Sequence, residues 1–220
     1  MTLVALLPMK GHSERVPGKN LKACAGKPLF HWVTEALLAA RHVDRVVIDT
    51  DSDLICENVE EDFPTVEVHR RPAELQGDFV AMHDIVAHLV SVLDGDVFLQ
   101  THSTNPLLRA ETIDAAIEAF RADTEHDSLM SVTPWQARFY GSDGAPINHD
   151  PNVLLRTQDL PPLYEENSNL YIAGRELIER TGLRVGPNPI LFPMNRREAV
   201  DIDEPLDFTI AELLLMAHHG

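Results

Sequence analysis

The residues best equipped for chemistry lie near the two ends of the chain. From Leu6 to Asn20 the sequence reads Leu-Leu-Pro-Met-Lys-Gly-His-Ser-Glu-Arg-Val-Pro-Gly-Lys-Asn. It follows the apolar run Leu3–Leu7 and precedes Gly26-Lys27-Pro28-Leu29-Phe30, which reads as a helix start. A glycine-containing polar loop between a strand and a helix points backbone N–H groups inward and can cradle anionic oxygens. Lys10, Arg15 and Lys19 place cations around the same concavity. The first thirty residues also carry Lys22 and Lys27, against the single acid Glu14, in a chain of formal net charge −17. An acidic chain that gathers its cations in one loop is suited to holding an anion there. The alternative is an ordinary strand-to-helix loop with solvated lysines.

The second candidate is Asp201-Ile202-Asp203. In a strand, residues two apart share a face, so both carboxylates would point one way and Ile202 into the core. Paired hard oxygens of this kind suit Mg²⁺ bridging nucleotide phosphates. The competing reading is a strand end followed by a helix cap, with Asp203 capping a helix that starts near Pro205. A third candidate is Phe98-Leu99-Gln100-Thr101-His102-Ser103-Thr104-Asn105-Pro106-Leu107. An amide at a strand end, Gln100, can read the hydroxyls or carboxylate of a substrate. His102-Ser103 is not read as a nucleophilic pair, because adjacent residues rarely serve as base and nucleophile and no orienting acid is evident. Asp84, in Met82-His83-Asp84, is read either as a ribose ligand or as a cap.

The first stretch resembles the signature of the acylneuraminate cytidylyltransferase family, which includes the CMP-sialic acid synthetases. Pro8, Gly11, Ser13, Arg15, Pro17, Gly18, Lys19 and Asn20 fall at matching positions without a gap, and Gly26-Lys27-Pro28-Leu29 continues the match. The family's arginine is Lys10 here, which keeps the charge and loses the bidentate fork. Arg71-Pro72-Ala73-Glu74-Leu75 resembles the family's Arg-Pro-Ala-Glu-Leu, and the family also places Asp-Ile-Asp before its last helix. Gln100, Thr104 and Pro106 correspond once an insertion carrying His102 and Ser103 is allowed. Arg156, Gln158, Leu160 and Pro161 resemble an Arg-Gln-x-Leu-Pro stretch, offset by one residue. Asn167 and Tyr171 match the family's Asn and Tyr, while Glu165 and Glu166 stand for its Arg-Pro, a reversal of charge beside the expected acceptor.

The resemblance implies a layered, Rossmann-like α/β fold of the nucleotide-diphospho-sugar transferase type, with a mostly parallel sheet. It implies a cytidylyltransferase joining CMP from CTP to the anomeric hydroxyl of an acidic 2-keto sugar, a sialic acid-like nonulosonate, with release of pyrophosphate. Lys10, Gly11, Ser13, Arg15, Lys19, Asn20 and Arg71 would bind the nucleotide, with Lys19 and Asp203 catalytic. Asp201 and Asp203 would hold Mg²⁺. Gln100 and Asn167 would face the sugar, joined by Arg156 from the partner in a homodimer. Three alternatives stay open: the same chemistry on another acceptor, an eight-carbon sugar acid or a modified nonulosonate; a sugar-phosphate or polyol-phosphate nucleotidyltransferase; and a catalytically silent nucleotide-binding scaffold. The second typically carries a Gly-x-Gly-x-Arg loop, which Lys-Gly-His-Ser-Glu-Arg spaces differently.

The elements that must position these residues alternate regularly. Strands are expected at Leu3–Leu7, Arg45–Asp49, Val66–His69, Asp96–Gln100 and Ser128–Thr133. Helices are expected from Pro28 to Ala40, with Phe30, Val33, Leu37 and Leu38 inward, then at 54–61, 82–93 and 111–121. Such alternation gives a largely parallel sheet whose ligands bind beyond the carboxyl ends of the strands, where Lys10, Arg71, Gln100 and Thr104 converge. The pattern breaks at Pro134. Residues 135–165 are too long for a plain connection and read either as a disordered loop or as a protruding arm or hairpin; the resemblance implies the arm, packing on a second subunit. After it come strands at 170–173, 191–194 and 198–202, and helices at 175–181 and 205–218. His218-His219 reads as a frayed tail.

At 220 residues and 44% hydrophobic content the chain suits one domain with a real core. No apolar run approaches the roughly 20 residues of a membrane helix, and no secretory signal is evident. The two cysteines, Cys24 and Cys56, fit a reduced cytoplasm. The negative charge argues against nucleic acid and anionic membranes as partners.

Overall fold

The computed structural model describes residues 1–219, with the side chains of His218 and His219 outside the description. Strands run at β1 Leu3–Met9, β2 Ala23–Cys24, β3 Lys27–Pro28, β4 Arg45–Thr50, β5 Glu67–Arg70, β6 Val97–Gln100, β7 Ser128–Trp135, β8 Leu163–Gly174 and β9 Pro189–Pro193. Helices run at α1 Leu29–Ala39, α2 Asp53–Asp62, α3 Met82–Val92, α4 Ala110–Ala122, α5 Arg175–Thr181 and α6 Pro205–His219. Seven strands form one sheet in the order β5-β4-β1-β6-β8-β7-β9, and β2 and β3 form a separate hairpin. Neighbours pair in parallel except β8, which runs antiparallel to both β6 and β7.

β1 is buried along its whole length because it lies between β4 and β6 with helices on both faces. Leu3, Ala5 and Leu7 pack under α1, α2 and α4 through Phe30, Val33, Ile55 and Ile117. Val4 and Leu6 face the other way, onto Ile85, Leu89 and Ile178 of α3 and α5. A third cluster fixes the ends of the chain to each other. Val16 of the first loop packs with Leu29, Leu107, Ile202, Phe208 and Leu215, so α6 lies over the loop that follows β1.

Three expectations are corrected. Leu38 is exposed; α1 turns only Phe30, Val33 and Leu37 of the expected stripe inward. Residues 198–202 form no strand. Glu198 and Ala199 lie in a turn closed by Ala199 N–H on Asn195 O, and Ile202 N–H donates to Thr104 O instead of to a ladder. The expected break at Pro134 falls inside β7, because Pro134 lies past Val132, the last residue paired with β9. β8 likewise starts at Leu163, so the excursion outside the sheet spans residues 136–162. It holds a bridge between Tyr140 and Pro146 and a 3₁₀ turn at Thr157–Asp159. The expected tail at His218-His219 falls in the backbone of α6, and its side chains lie outside the described residues.

Candidate active site

A cleft of about 290 Å³ opens at the carboxyl ends of β1 and β6. Lys10, Ser13, Arg15, Lys19 and Asn20 line one wall, and His102, Ser103 and Thr104 line the other. The first loop is built to aim these groups. Lys19 N–H closes a turn on Val16 O, with Pro17 at its second position and Gly18 at its third with φ +63°. That is the type II arrangement, which requires a positive φ at the third residue and favours glycine there. Gly11 sits where no side chain fits: a Cβ would stand 2.7 Å from Ser52 Cβ. Its N–H donates to Asp51 Oδ1 at 2.7 Å, pinning the loop to the start of α2. Ser13 Oγ accepts from Val16 N–H.

The two ends of the chain meet here. Arg15 Nη2 lies 2.7 Å from Asp203 Oδ1 and its Nη1 lies 3.4 Å from Glu204 Oε1. Lys19 Nζ donates to the carbonyl of Ile202 at 2.7 Å, between the two aspartates. Although no strand sets the alternation, the buried Ile202 still leaves Asp201 and Asp203 on the outer side of the segment. Asp203 caps nothing: Asp207 Oδ2 accepts from the N–H groups of Asp203 and Glu204, which frees the Asp203 carboxylate for Arg15. Asp201 Oδ1 is buried with no hydrogen-bond partner. Burial pushes the Asp201 carboxyl above its usual range and Asp203 adds repulsion, opposed by a Thr104 hydrogen bond and Lys19. Burial lowers the Lys19 ammonium, and Asp201 and Asp203 pull it back up.

Asn20 serves the walls rather than the opening. Its amide nitrogen donates to Lys10 O at 2.8 Å, and its oxygen accepts from Ser103 Oγ at 2.7 Å. Lys10 Nζ lies 3.3 Å from Asp78 Oδ1 across the mouth. Arg71 is behind the cleft and buried; Nε and Nη2 grip Asp49, whose other oxygen meets His69 Nδ1, while Nη1 has no partner. Asp84 stands exposed on the first turn of α3 and makes no side-chain cap.

Of the residues assigned to the sugar, Gln100 is buried at the end of β6 and adjoins the cleft through His102. Asn167 does not line it. Residues 167–170 bulge opposite Ser131, and there Asn167 Oδ1 accepts from Ser131 Oγ at 2.6 Å while its nitrogen donates to Thr133 Oγ1. Arg156 lies in the excursion, paired with Asp159 at 2.7 Å and largely exposed. Neither lines the cleft.

Residues that the motifs passed over stand behind the His102 wall, beside a neighbouring hollow that Arg184 lines with Glu166. Arg184 enters from the loop after α5, stacks on Tyr171 at 3.6 Å and donates to Gln100 Oε1. Nothing in Gly182-Leu183-Arg184-Val185-Gly186 marks it. The antiparallel β8 puts it there, and sequence periodicity does not reveal strand direction. His102, read as part of an insertion, is held neutral: burial, then Arg184 and Lys19, push its pKa down to about 3.

Among the described residues no helix is long and apolar enough to cross a membrane, and no cluster of three or more His, Cys, Asp or Glu forms a metal site.

Comparison with known proteins bears on the family and the fold. The CMP-N,N'-diacetyllegionaminic acid synthase of Legionella pneumophila is 28% identical over 232 residues, covering 98% of this chain and 97% of that enzyme. The N-acylneuraminate cytidylyltransferase of Oncorhynchus mykiss is 32% identical over 96% of this chain, which spans 49% of that longer protein. The solved structure of CMP:2-keto-3-deoxy-manno-octonic acid synthetase complexed with CTP shares the fold, with a TM-score of 0.74, 17% identity and full coverage of both chains. A family model described as Cytidylyltransferase matches residues 4–193. With that match over most of its length, the chain belongs to the cytidylyltransferase family and is a nucleotidyltransferase.

Proposed function

We propose that the chain transfers CMP from CTP to the anomeric hydroxyl of an acidic 2-keto sugar of the sialic acid type, releasing pyrophosphate. The observation that carries this is the meeting of Arg15 and Lys19, which line the cleft, with the segment Asp201-Ile202-Asp203 at its edge. Cations able to hold a triphosphate face two carboxylates within one nucleotide's reach. The names of the Legionella and Oncorhynchus relatives support the acceptor class.

The acids fit a divalent cation. A buried carboxylate oxygen without a partner, Asp201 Oδ1, beside the exposed Asp203 carboxylate is a hard donor set short of ligands, which triphosphate oxygens and water would complete. Mg²⁺ held there would neutralise charge on the leaving pyrophosphate. The chain's own residues do the rest. Lys10, Arg15 and Lys19 bind the triphosphate, and Gly11 lets the loop lie close. Lys19 and Asp203 meet the reacting phosphate, and Asn20 and Arg71 stiffen the nucleoside side. Gln100 orients the acceptor. No covalent intermediate is needed, so catalysis is positioning and charge stabilisation.

The excursion at 136–162 exposes Ile147, Val153 and Leu154. It is read as the arm of a homodimer, through which Arg156 reaches the partner's cleft. A cytoplasmic location fits the two free cysteines, Cys24 and Cys56. The test is pyrophosphate release on mixing the protein with CTP, Mg²⁺ and a panel of eight- and nine-carbon sugar acids. Release with a nine-carbon acid supports the reading. Release only with an eight-carbon acid shifts the acceptor, and CTP binding with no release from any acid overturns the reaction.

A further inference from the structure

Behind the His102 wall of the cleft lies a polar cluster that opens, through Arg184 and Glu166, on a neighbouring hollow of about 220 Å³ lined also by His83, Met130, Leu183 and Val185. At its centre the Arg184 guanidinium lies over the Tyr171 ring, 3.6 Å from the ring centre. Nη1 donates to Gln100 Oε1 and approaches His102 Nε2 at 3.5 Å. Gln100 is fixed in turn, because its nitrogen donates to Thr101 O at 2.9 Å and points at the same His102 nitrogen at 3.0 Å. With two N–H donors aimed at it, His102 Nε2 must be the acceptor, and the ring proton sits on Nδ1. The ring is therefore neutral, and Arg184 is the charge of this wall.

The other edge of the guanidinium is poorly served. Its ion-pair partner is Glu166 Oε1, 3.8 Å from Nη2, beyond hydrogen-bond range. Glu166 instead accepts from the Tyr171 hydroxyl and is half-exposed. Its neighbour Glu165 is turned to the Trp135 indole N–H at 2.6 Å. A stacked, partly buried arginine with one edge short of an acceptor matches the planar, bidentate geometry of a carboxylate.

Resting on the transfer reaction proposed above, we propose that Arg184 binds the carboxylate of the sugar acid and so selects acidic acceptors, with Glu166 the internal carboxylate that yields this edge. Arg184 touches substrate, and through Gln100 it also sets the amide that faces the sugar hydroxyls. Tyr171 positions it, since the ring fixes the plane of the fork.

The experiment compares a nine-carbon sugar acid that wild type turns over, chosen from N-acetylneuraminic, legionaminic and pseudaminic acids, with its methyl ester. The wild type is expected to prefer the acid in kcat/KM. Arg184→Met should shrink that preference by about 10- to 150-fold, the worth of hydrogen bonds to a charged group. Arg184→Lys should retain part of it. CTP affinity, measured by calorimetry without acceptor, should stay within about twofold in both variants, which also reports that they fold. Glu166→Gln should lower the acceptor KM. If wild type uses acid and ester equally, or if Arg184→Met and Arg184→Lys both keep the full preference, the proposal is overturned while the transfer reaction stands. No turnover by wild type with any sugar acid removes the reaction and this proposal together.

Discussion

Lys19 Nζ and the Ile202 carbonyl are 2.7 Å apart, although 183 positions separate them in sequence. The contact sets a cation between two acids and ties the first loop to the segment before α6. Its ammonium is partly buried, and burial disfavours the charge while Asp201 and Asp203 restore it.

Replacing Lys19 with methionine keeps the length and removes the charge. The buried Ile202 carbonyl then loses its donor, so we expect a stability loss of about 1–3 kcal/mol. CTP binding should fall more steeply than this, because the charge faces the triphosphate. Calorimetric CTP titration beside thermal unfolding separates the two effects. Unchanged CTP affinity in a folded variant would remove Lys19 from the nucleotide site.

Asp201 and Asp203 should part company in their effects. Asp203 is half-exposed and pairs with Arg15 at the surface, so Asp203→Ala should abolish turnover with little change in Tm. Asp201 is different, because its folded pKa is raised, chiefly by burial. A carboxyl with a raised folded pKa favours the native state while protonated, and that stability is lost as pH rises from the ordinary value near 3.8 through the raised one. Asp201→Asn should therefore raise Tm at pH 7, and the gain should vanish below the ordinary aspartate range. The same variant should lose the extra stabilisation that Mg²⁺ adds to the CTP complex. A Tm gain that persists unchanged at low pH would show that the buried charge is not the cause.

How much of this was legible in the sequence depends on how local the signal is. The shape of the first loop was readable because Gly11, Pro17 and Gly18 act through local backbone geometry, and the helices were readable from their apolar spacing. The antiparallel β8 was not, since Leu170–Ala173 looks the same in either direction. Arg184 was lost with it, because only tertiary topology carries that residue to Gln100. Asp201-Ile202-Asp203 was expected to alternate as a strand, and it does so for another reason. Burial of Ile202 against Val16 and Phe208 fixes the alternation where no strand exists. Asn167 shows the opposite error: its position in a motif did not reveal that a bulge consumes its amide.

Asn167→Ala should accordingly act on stability within a subunit. It strips the acceptor of Ser131 Oγ and the donor to Thr133 Oγ1 in a buried stretch of the sheet. We expect a loss of about 1–3 kcal/mol, seen as a lower denaturation midpoint. An unaltered midpoint with a raised acceptor KM would return Asn167 to the sugar site.

Gly11→Ala tests the loop by packing alone. The added methyl would overlap Ser52 Cβ at 2.7 Å, on the residue whose hydroxyl caps α2 by accepting from Ile55 N–H. The loop must shift, stretching the Gly11 N–H bond to Asp51. Overpacking of this kind costs about 1–3 kcal/mol, and the displaced N–H groups should weaken CTP binding as well. Full affinity and full stability would mean that the loop has room the geometry does not show.

The last prediction concerns acid. A histidine whose folded pKa is about 3 stays neutral in the native protein while the unfolded chain takes up a proton near the ordinary value of 6.5. Its contribution is thus complete above pH 6.5 and is lost progressively as pH falls toward 3, by at most about 1.4 kcal/mol per pH unit for one proton. His102→Gln keeps a side chain that can accept from the Gln100 amide and removes the titration. Its stability should fall less steeply than wild type between pH 6.5 and 4, measured by denaturant midpoints at each pH. Within that window the wild-type imidazole should also keep its neutral NMR signature, with the proton on Nδ1. A protonated ring at pH 5 would mean that His102 is less buried than its place in the cleft wall makes it, and the charge assigned to that wall would have to be divided between His102 and Arg184.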